Sequence, residues 1–425
     1  MKIAIIGSGI SGNVLAYHLN VDHDITVFEA NDYIGGHTHT HEIDVQNRQY
    51  SVDTGFIVHN DATYPNFIKL LQELGVERQK SIMSFSVKCE KSGLEYNGNN
   101  LNSMFAQRRN LFRPTFYKMI QDILRFNKES VKLLDSADSD ISLGDYLDIN
   151  GYSTQFIEHY IIPMGSAIWS SSYDQMLGFS AHFFIRFFHN HGLLNVANRP
   201  DWYVIKGGSN AYVDKISASY REKVRLSTPV KQVKRFATHV EITTDNMLAE
   251  KFDYVFFACH SDQALNMLDQ PDQFEQKILN AFPYQSNDVV LHTDTQLLPE
   301  RKLAWASWNY HRLENKSTPV AVTYNMNILQ GLDCPETFCV TLNNSHAIDE
   351  SKIIKRLQYM HPLFTQQTLE AQKQHSELNG LNRCFYSGAY WRYGFHEDGV
   401  VSALTALEDF KEKTDYAQQN LRRAG

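Results

Sequence analysis

The chain has 425 residues, more than one small hydrophobic core usually organises, and this length predicts two domains. Its 40 basic and 48 acidic residues give a net charge of -8, whereas a nucleic-acid-binding protein usually carries a basic excess. No apolar run approaches the roughly 20 residues that span a bilayer. The first apolar run ends at Gly7 and predicts a strand, so we expect no signal peptide.

The five cysteines are scattered, and no pair has C-x-x-C spacing. Because an odd number argues against a complete disulfide framework, we expect reduced thiols in a cytoplasmic protein. His37, His39 and His41 alternate along a predicted strand without a carboxylate partner, so we expect no metal site.

A Gly-rich turn follows the first predicted strand, residues 2–6. Its G-x-G-x-x-G pattern places glycines at Gly7, Gly9 and Gly12, with Ser11 before the last. These glycines permit a tight turn, close approach of a pyrophosphate, and packing of the next helix on the strand. The helix N-terminus offers N–H groups to phosphates. A second predicted strand ends in Glu29, where a carboxylate accepts hydrogen bonds from ribose hydroxyls, and the whole order predicts a bound dinucleotide.

The residues after this acid resemble the superfamily of flavin-containing amine oxidases, protoporphyrinogen oxidases and carotenoid desaturases. Gly35 and Gly36 match the paired glycine of that superfamily, and His37 stands where its members usually have an arginine. Residues 52–55 resemble its next strand, in which Gly55, followed here by Phe56, lets the chain pass close to the flavin. The resemblance therefore implies FAD rather than NAD.

The resemblance continues through two later segments. Residues 206–209 resemble the second glycine pair, and in relatives the backbone near Val230 meets the adenine. In the C-terminal segment, Gly388 follows a predicted strand, and Gly399 and Val400 begin a helix predicted over residues 400–410. There the resemblance implies backbone N–H groups at the carbonyl edge of the flavin, which stabilise its anionic reduced form. Some amine oxidases attach FAD through a cysteine in this region; residues 389–391 contain none, so we expect non-covalent FAD.

The resemblance implies a mixed α/β fold, with a Rossmann-like FAD-binding domain and an inserted substrate domain. The expected FAD-binding segments are residues 1–75, 201–287 and 379–425. Residues 76–200 are expected to form the helical part of the substrate domain, and residues 288–378 its sheet.

Three histidines are candidates for proton handling, because the resemblance places each near the flavin: His59, His292 and His396. Each also suits a structural hydrogen bond. His292 stands in the strand where amine oxidases usually have a lysine, which argues against amine oxidation. Five aromatic residues are candidates for substrate contact: Trp169, Phe183, Phe187, Tyr390 and Phe395.

The segment of residues 394–399 is similar to a bacterial subgroup of predicted NAD/FAD-binding oxidoreductases associated with cyclopropane fatty acid synthases. That similarity implies hydride transfer on an apolar substrate, such as an unsaturated, cyclopropane- or methyl-modified acyl chain. Two alternatives stay open: an amine oxidase for a small amine or polyamine, and a flavin-binding, non-catalytic partner of a lipid-modifying enzyme.

Residues 104–128, from Met104 to Lys128, combine aromatic and basic side chains. This combination suits a peripheral contact with the inner face of a membrane, and equally an amphipathic helix with a solvated basic face. The electron acceptor and the choice among oxidase, desaturase and isomerase are not indicated by the sequence.

Overall fold

The computed structural model describes residues 1–135, 141–195, 199–245, 248–313 and 320–424, with side chains up to Thr414. The strands, in chain order, are β1 (Lys2–Ile6), β2 (Asp24–Phe28), β3 (Thr40–Val45), β4 (Arg48–Asp53), β5 (Val58–Asn60), β6 (Arg78–Ser81), β7 (Phe85–Cys89), β8 (Leu94–Asn97), β9 (Trp202–Ile205), β10 (Val224–Arg225), β11 (Val230–Arg235), β12 (Val240–Thr244), β13 (Ala249–Phe252), β14 (Tyr254–Phe257), β15 (Tyr284–His292), β16 (Trp308–Arg312), β17 (Ala321–Asn325), β18 (Cys339–Leu342), β19 (Ile353–Pro362) and β20 (Cys384–Tyr386).

The helices, in chain order, are α1 (Ile10–Leu19), α2 (Pro65–Glu73), α3 (Leu101–Met104), α4 (Pro114–Glu129), α5 (Leu143–Ile149), α6 (Thr154–Phe156), α7 (Ile162–Trp169), α8 (Tyr173–Leu177), α9 (Ala181–Asn190), α10 (Asn210–Ser217), α11 (Ser261–Met267), α12 (Gln273–Leu279), α13 (Met326–Gln330), α14 (Gln366–Gln372), α15 (His375–Leu378) and α16 (His396–Ala424). A π-helical turn, Ile157–Ile161, joins α6 to α7 just before Pro163. Proline has no N–H to donate, and π-turns arise where the regular hydrogen-bond ladder is interrupted.

One sheet of the molecule is parallel and has the strand order β10-β2-β1-β14-β20. Along β1, Ile3 and Ile5 join one hydrophobic core with residues of α1, α10 and α16. Ala4 and Ile6 join a second core on the opposite face, with residues of β11, β12 and α12. Both faces are buried, which explains why β1 shows no alternation of polar and apolar residues.

A second, larger sheet has the order β19-β15-β18-β17-β16-β7-β8. Its strands and the helices between residues 101 and 190 share the largest hydrophobic core. Three smaller sheets, β11-β12-β13, β3-β4 and β5-β9-β6, complete the described architecture. The predicted mixed α/β fold is confirmed. In the described ranges, no helix is long and apolar enough to cross a membrane.

Three elements differ from those that the sequence predicts. Apolar spacing predicts a helix over residues 61–74, but helix α2 begins at Pro65, because the Asn60 side chain accepts hydrogen bonds from the N–H groups of Ala62 and Thr63 and holds a turn there. The residue before a proline also disfavours helical backbone. Alternating side chains predict one strand over residues 224–233, but this run is divided between β10 and β11, which lie in different sheets. Strand β19 was not predicted at all.

Candidate cofactor and substrate site

The turn between β1 and α1 is built on three glycines with different neighbours. Gly7 has a φ of +103°, and a Cβ there would lie 2.5 Å from the Ala258 carbonyl oxygen. A Cβ at Gly12 would overlap the Gly7 carbonyl oxygen. A Cβ at Gly9 would meet no atom within 4 Å. Gly7 and Gly12 therefore serve the packing of the turn, whereas Gly9 leaves its backbone open to a ligand.

Glu29, directly after β2, lies beside this turn. Its Oε2 accepts hydrogen bonds from the backbone N–H and the hydroxyl of Ser8, at 2.8 and 2.6 Å. Its Oε1 accepts from the N–H and the side-chain amide of Asn31, at 2.8 and 3.0 Å. The N–H of Thr228 donates to the Glu29 carbonyl at 2.8 Å, two residues before Val230. The structure therefore brings Glu29 and Val230 to the same side of the turn.

The paired glycines close over the turn. The N–H of Gly35 donates to the Ser8 carbonyl at 3.0 Å. Gly36 has a φ of +61°, and a Cβ there would lie 3.0 Å from the Cα of Gly9. Position 36 therefore needs glycine both for its left-handed backbone and for its close approach to the turn.

His37 connects the paired glycines to the segment after β4. The His37 carbonyl accepts a hydrogen bond from the N–H of Phe56 at 2.8 Å. A Cβ at Gly55 would overlap that same carbonyl oxygen. Gly55, Phe56 and His37 are thus packed together.

The buried carboxylate of Asp53 ties this region to the second glycine pair, and sequence reasoning missed it. It accepts hydrogen bonds from the N–H and hydroxyl of Ser209 at 2.9 and 3.0 Å, from Thr40 at 2.5 Å and from the Gln330 amide at 2.9 Å. Burial raises the pKa of Asp53 to about 6, and the hydrogen bonds oppose that shift. An acid within an otherwise buried predicted strand was the available signal.

The last helix crosses the Gly-rich turn, and its start corrects the predicted boundary. Helix α16 begins at His396, and the N–H of Gly399 already donates to the Phe395 carbonyl at 3.1 Å. Val400 lies in the second turn, with its side chain in the core. The free N–H groups therefore belong to the first turn of the helix rather than to Gly399 and Val400.

Gly399 instead provides close contact between α16 and α1. A Cβ at Gly399 would lie 2.6 Å from Cγ2 of Ile10, and the hydroxyl of Ser11 donates to the Gly399 carbonyl at 3.0 Å. The N–H of Gly388, after β20, donates to Ser402 of the same helix at 2.9 Å. Ser11, Gly388 and Gly399 are thus brought together by the packing of α16.

Three histidines from distant segments, His37, His260 and His361, lie side by side. The ring centroid of His37 is 6.2 Å from that of His260 and 5.7 Å from that of His361. Burial lowers the pKa of His37 and His260 to about 4 and that of His361 to about 3, yet all three keep accessible surface. The two observations agree if that surface faces an enclosed cleft rather than bulk water. We therefore infer an enclosed cleft at the carboxyl end of β14, the place where ligands bind in open α/β sheets.

His260 had a sequence signal, because it directly follows the apolar run of residues 253–259, which predicts a buried strand. His361 had none, because β19 is mostly exposed and shows no apolar pattern.

The predicted aromatic substrate residues form two rows. Trp169 is buried and packs against Phe187, with ring centroids 4.7 Å apart. Phe187 stacks on Phe395 at 5.1 Å, and Phe183 lies 4.8 Å from Tyr393. Phe395 and Tyr393 keep accessible surface, whereas Trp169, Phe183 and Phe187 are buried behind them. The three buried residues therefore support the wall of the cleft and do not form it, which corrects their predicted role.

Tyr390 lies apart from this aromatic group. Its ring packs against Phe282 at 4.8 Å, and it belongs to the core on the other face of the parallel sheet. His191, which sequence reasoning missed, stacks on Phe187 at 3.8 Å and keeps accessible surface. Burial lowers the pKa of His191 to about 4.

Two of the three histidines proposed for proton handling are neighbours. His396 and His59 lie 3.6 and 6.4 Å from the ring centroid of Phe56. His292 is not with them. Its Nε2 is 2.7 Å from the Thr341 hydroxyl, and its Nδ1 accepts from the N–H of Asp294 at 3.0 Å. His292 is the last residue of β15, whereas Tyr284, the first residue of that strand, stacks on His260. The two ends of this extended strand are about 25 Å apart, so His292 is too far away to carry protons in this cleft.

Four buried polar atoms near this cleft have no hydrogen-bond partner among the described residues: His37 Nε2, Ser261 Oγ, Ser387 Oγ and the Tyr390 hydroxyl. Buried polar atoms are nearly always paired, so these positions suit a ligand that carries nitrogen and oxygen atoms along its length. With the open backbone at Gly9, the residues present fit an elongated dinucleotide such as FAD. The described residues contain no cluster of three or more His, Cys, Asp or Glu suited to a metal ion.

This fold and cleft define a flavin-binding oxidoreductase, and comparison with known families agrees. The profile of the family described as flavin containing amine oxidoreductase matches residues 10–335, well over half of the chain. The chain therefore belongs to the family of flavin-containing amine oxidoreductases, and its cofactor is FAD. No curated protein sequence matches the chain.

Solved structures share the fold at low sequence identity. A CLA-producing fatty acid isomerase from P. acnes is 15% identical, with a TM-score of 0.66 over 94% of this chain and 96% of that chain. A putrescine oxidase bound to putrescine is 14% identical, with a TM-score of 0.66 over 97% and 99%. A cyclohexylamine oxidase from Brevibacterium oxydans is 14% identical, with a TM-score of 0.65 over 97% and 99%.

Proposed function

We propose that this FAD-dependent oxidoreductase transfers hydride from an apolar substrate, the unsaturated, cyclopropane- or methyl-modified acyl chain of a lipid. The aromatic wall of Tyr393 and Phe395 carries the proposal. Both rings keep accessible surface and are supported from behind by the buried Phe183 and Phe187. Such a wall gains about 0.8 kcal/mol for each methylene that it removes from water.

The charges beside this wall favour an uncharged substrate. Asp398 accepts hydrogen bonds from the N–H groups of Phe395 and Tyr393, at 2.9 and 3.2 Å, and burial raises its pKa to about 7. Glu397 accepts from the N–H groups of Asn66 and Phe67. Both carboxylates already accept hydrogen bonds at the starts of helices, so an ammonium at the wall would compete with these N–H groups for them, and burying a charge without its own partner is unfavourable.

The proposed cofactor contacts follow the geometry of the turn. Gly9 and the start of α1 would hold the pyrophosphate, Glu29 the ribose, and the backbone near Val230 the adenine. Gly36, His37, Gly55, Phe56 and Gly388 would lie along the rest of FAD. The flavin supplies the hydride acceptor when bound. The residues of the chain orient the substrate and exclude water.

The similarity to the fatty acid isomerase supports an acyl substrate, because that protein is named for its action on fatty acids and shares its architecture with this chain over nearly its whole length. Amine oxidation is the second candidate. The family description and the two amine oxidase structures favour it. The proposal places the reaction in the cytoplasm, with a lipid-modifying enzyme as a candidate partner.

Anaerobic mixing of the FAD-loaded protein with candidate substrates distinguishes these functions. We expect unsaturated or cyclopropane acyl lipids to bleach or shift the flavin spectrum, and spermine and benzylamine to leave it unchanged. Phe395→Ala should weaken the lipid response, whereas Phe236→Ala, an exposed phenylalanine elsewhere, should not. Bleaching by amines with no response to lipids would establish the amine oxidase, and no response to either class would favour the non-catalytic partner.

A further inference from the structure

Several large apolar side chains between residues 101 and 124 are exposed to solvent. Of the described large apolar side chains, Phe112 and Leu101 are the two most exposed, at 87% and 79%. Leu111, Tyr117 and Leu124 are also exposed in the same segment. Monomeric proteins tolerate single exposed apolar residues, but several in one segment indicate an interaction site.

These residues belong to one surface, here called the 101–124 face. Arg108, at the start of a short 3-10 helix (Arg108–Phe112), donates to the Asn102 side chain in α3 at 2.6 Å. The hydroxyl of Tyr117, in the first turn of α4, donates to the Leu111 carbonyl at 3.0 Å. Leu124 follows Tyr117 by seven residues, two helical turns, and lies on the same side of α4.

Buried side chains of the same segment hold the 101–124 face in place. Phe116 and Met119 point from α4 into the largest hydrophobic core, and the ring of Phe116 lies 5.4 Å from that of Phe105. Asn110 is fully buried between the exposed residues on either side of it. The apolar residues on the outside are therefore held outward by a packed interior.

The face is also basic. Residues 96–121 contain no Asp or Glu, although the whole chain has a net charge of -8. The exposed Arg108 and Arg109 donate to neutral oxygens, those of Asn102 and Gly93. In the described part of the segment, ion pairs with Asp122 involve Lys118 and Arg125. The charges of Arg108, Arg109 and Arg113 are therefore available to an external anion.

We infer that the 101–124 face docks on the surface of an anionic phospholipid bilayer, with Phe112 and Leu101 inserted among the lipid head groups and the arginines beside the phosphates. Exposed apolar side chains surrounded by basic residues have the composition of an interfacial membrane anchor. An acidic chain is repelled by an anionic surface except where a local basic patch faces it, so charge also fixes the orientation. This contact does not require that lipid is the substrate.

Sedimentation of the FAD-loaded protein with vesicles tests this inference. We expect binding to phosphatidylcholine mixed with phosphatidylglycerol at low salt, weaker binding at high salt, and little binding to pure phosphatidylcholine. The triple variant R108Q/R109Q/R113Q should lose about fivefold per charge, about 100-fold in all. Phe112→Ser with Leu101→Ser should lose at least about tenfold.

Val21→Ser is the matched control, because Val21 is 77% exposed and lies in the loop between α1 and β2. It should bind vesicles as the unaltered protein does, and thermal melting should show that every variant is folded. Equal binding to neutral vesicles, no binding at low salt, or an equal loss in Val21→Ser would overturn the inference. A dimer that the Phe112 variant dissociates would assign the face to a second copy of the chain and would overturn it too.

Discussion

His396 stacks on Phe56, with ring centroids 3.6 Å apart and ring planes 9° apart. Its Nε2 shares a hydrogen bond of 2.7 Å with the hydroxyl of Tyr212 in α10. Burial holds the pKa of His396 well below its usual range, so the ring stays neutral at neutral pH. The ring thus joins the start of α16 to the segment after β4 and to α10.

Replacing His396 with alanine should therefore destabilise the protein. The loss of a buried ring and its hydrogen bond should lower the free energy of unfolding by about 3–5 kcal/mol, measured by urea denaturation. His346→Ala, at an exposed position, should leave it unchanged. Unchanged stability in His396→Ala, combined with a loss of flavin reduction, would instead make His396 a catalytic residue.

Two glycines of the same turn should fail in different ways when replaced by alanine. Gly12→Ala places a methyl group on the Gly7 carbonyl oxygen and should destabilise the protein itself. Gly9→Ala meets no protein atom, so the apoprotein should keep its melting temperature while its FAD affinity falls at least about tenfold. Titration of the apoproteins with FAD measures this. Equal affinity in Gly9→Ala would place the pyrophosphate elsewhere.

Glu29→Ala should weaken FAD binding about 10- to 150-fold, the range for one lost charge-assisted hydrogen bond. It should also lower the melting temperature, because Ser8 and Asn31 lose their shared acceptor. Asp32→Ala, at an exposed acid three residues later, is the control for charge alone. A Glu29 variant with lower stability but the same dissociation constant for FAD would restrict Glu29 to holding the turn.

The free energy of unfolding of the apoprotein should fall as pH falls from about 6.5 towards 4, because the unfolded chain then binds protons that the native histidines do not bind. His37, His260 and His361 contribute to this, since burial lowers their pKa values to between about 3 and 4. Burial lowers the pKa of seven further histidines comparably or more: His39, His59, His159, His191, His292, His375 and His396.

Asp53 and Asp398 act in the opposite direction, because burial raises their pKa values to about 6 and about 7, but they are fewer. His361→Asn should make the free energy of unfolding depend less steeply on pH. The change should be less than about 1.4 kcal/mol per pH unit, since the ring keeps some access to solvent. Urea denaturation at several pH values measures the slope. A stability that rises towards pH 4 would contradict the expected sign.

FAD should be released when the protein is precipitated by acid or heat. Burial raises the thiol pKa of Cys259, beside the cleft, and of Cys384, before Gly388, to about 12. Both thiols are therefore neutral and poor nucleophiles. The absorbance of the supernatant should account for all of the flavin. Yellow colour that stays with the precipitated chain would show a covalent link.

The Gly-rich turn could be predicted because each of its residues answers a local requirement of backbone conformation or close approach. The aromatic residues show where such reasoning ends. Helical spacing places Phe183 and Phe187 on one side of α9, but which neighbour covers that side depends on tertiary packing. Tyr393 and Phe395 cover it, which buries the residues expected at the surface of the cleft.

The predicted role of His292 in proton handling was wrong for a related reason. The strand itself was predicted, but its position relative to the other sheet was not. The two ends of a nine-residue strand lie far apart in space, so a correctly predicted strand does not show which of its ends reaches the cleft. His361 was missed because the exposed strand β19 has no apolar pattern from which to predict it.

The order of the parallel sheet bears on how the newly made chain matures. β1 leaves the ribosome long before β14 covers its open edge, and an uncovered strand edge invites pairing with other chains. The contact of Ser11 with Gly399 forms later still, after β20 and α16 have been synthesised. Domains tend to fold as they emerge, but this site cannot. These elements can therefore enclose FAD only after α16 has been synthesised.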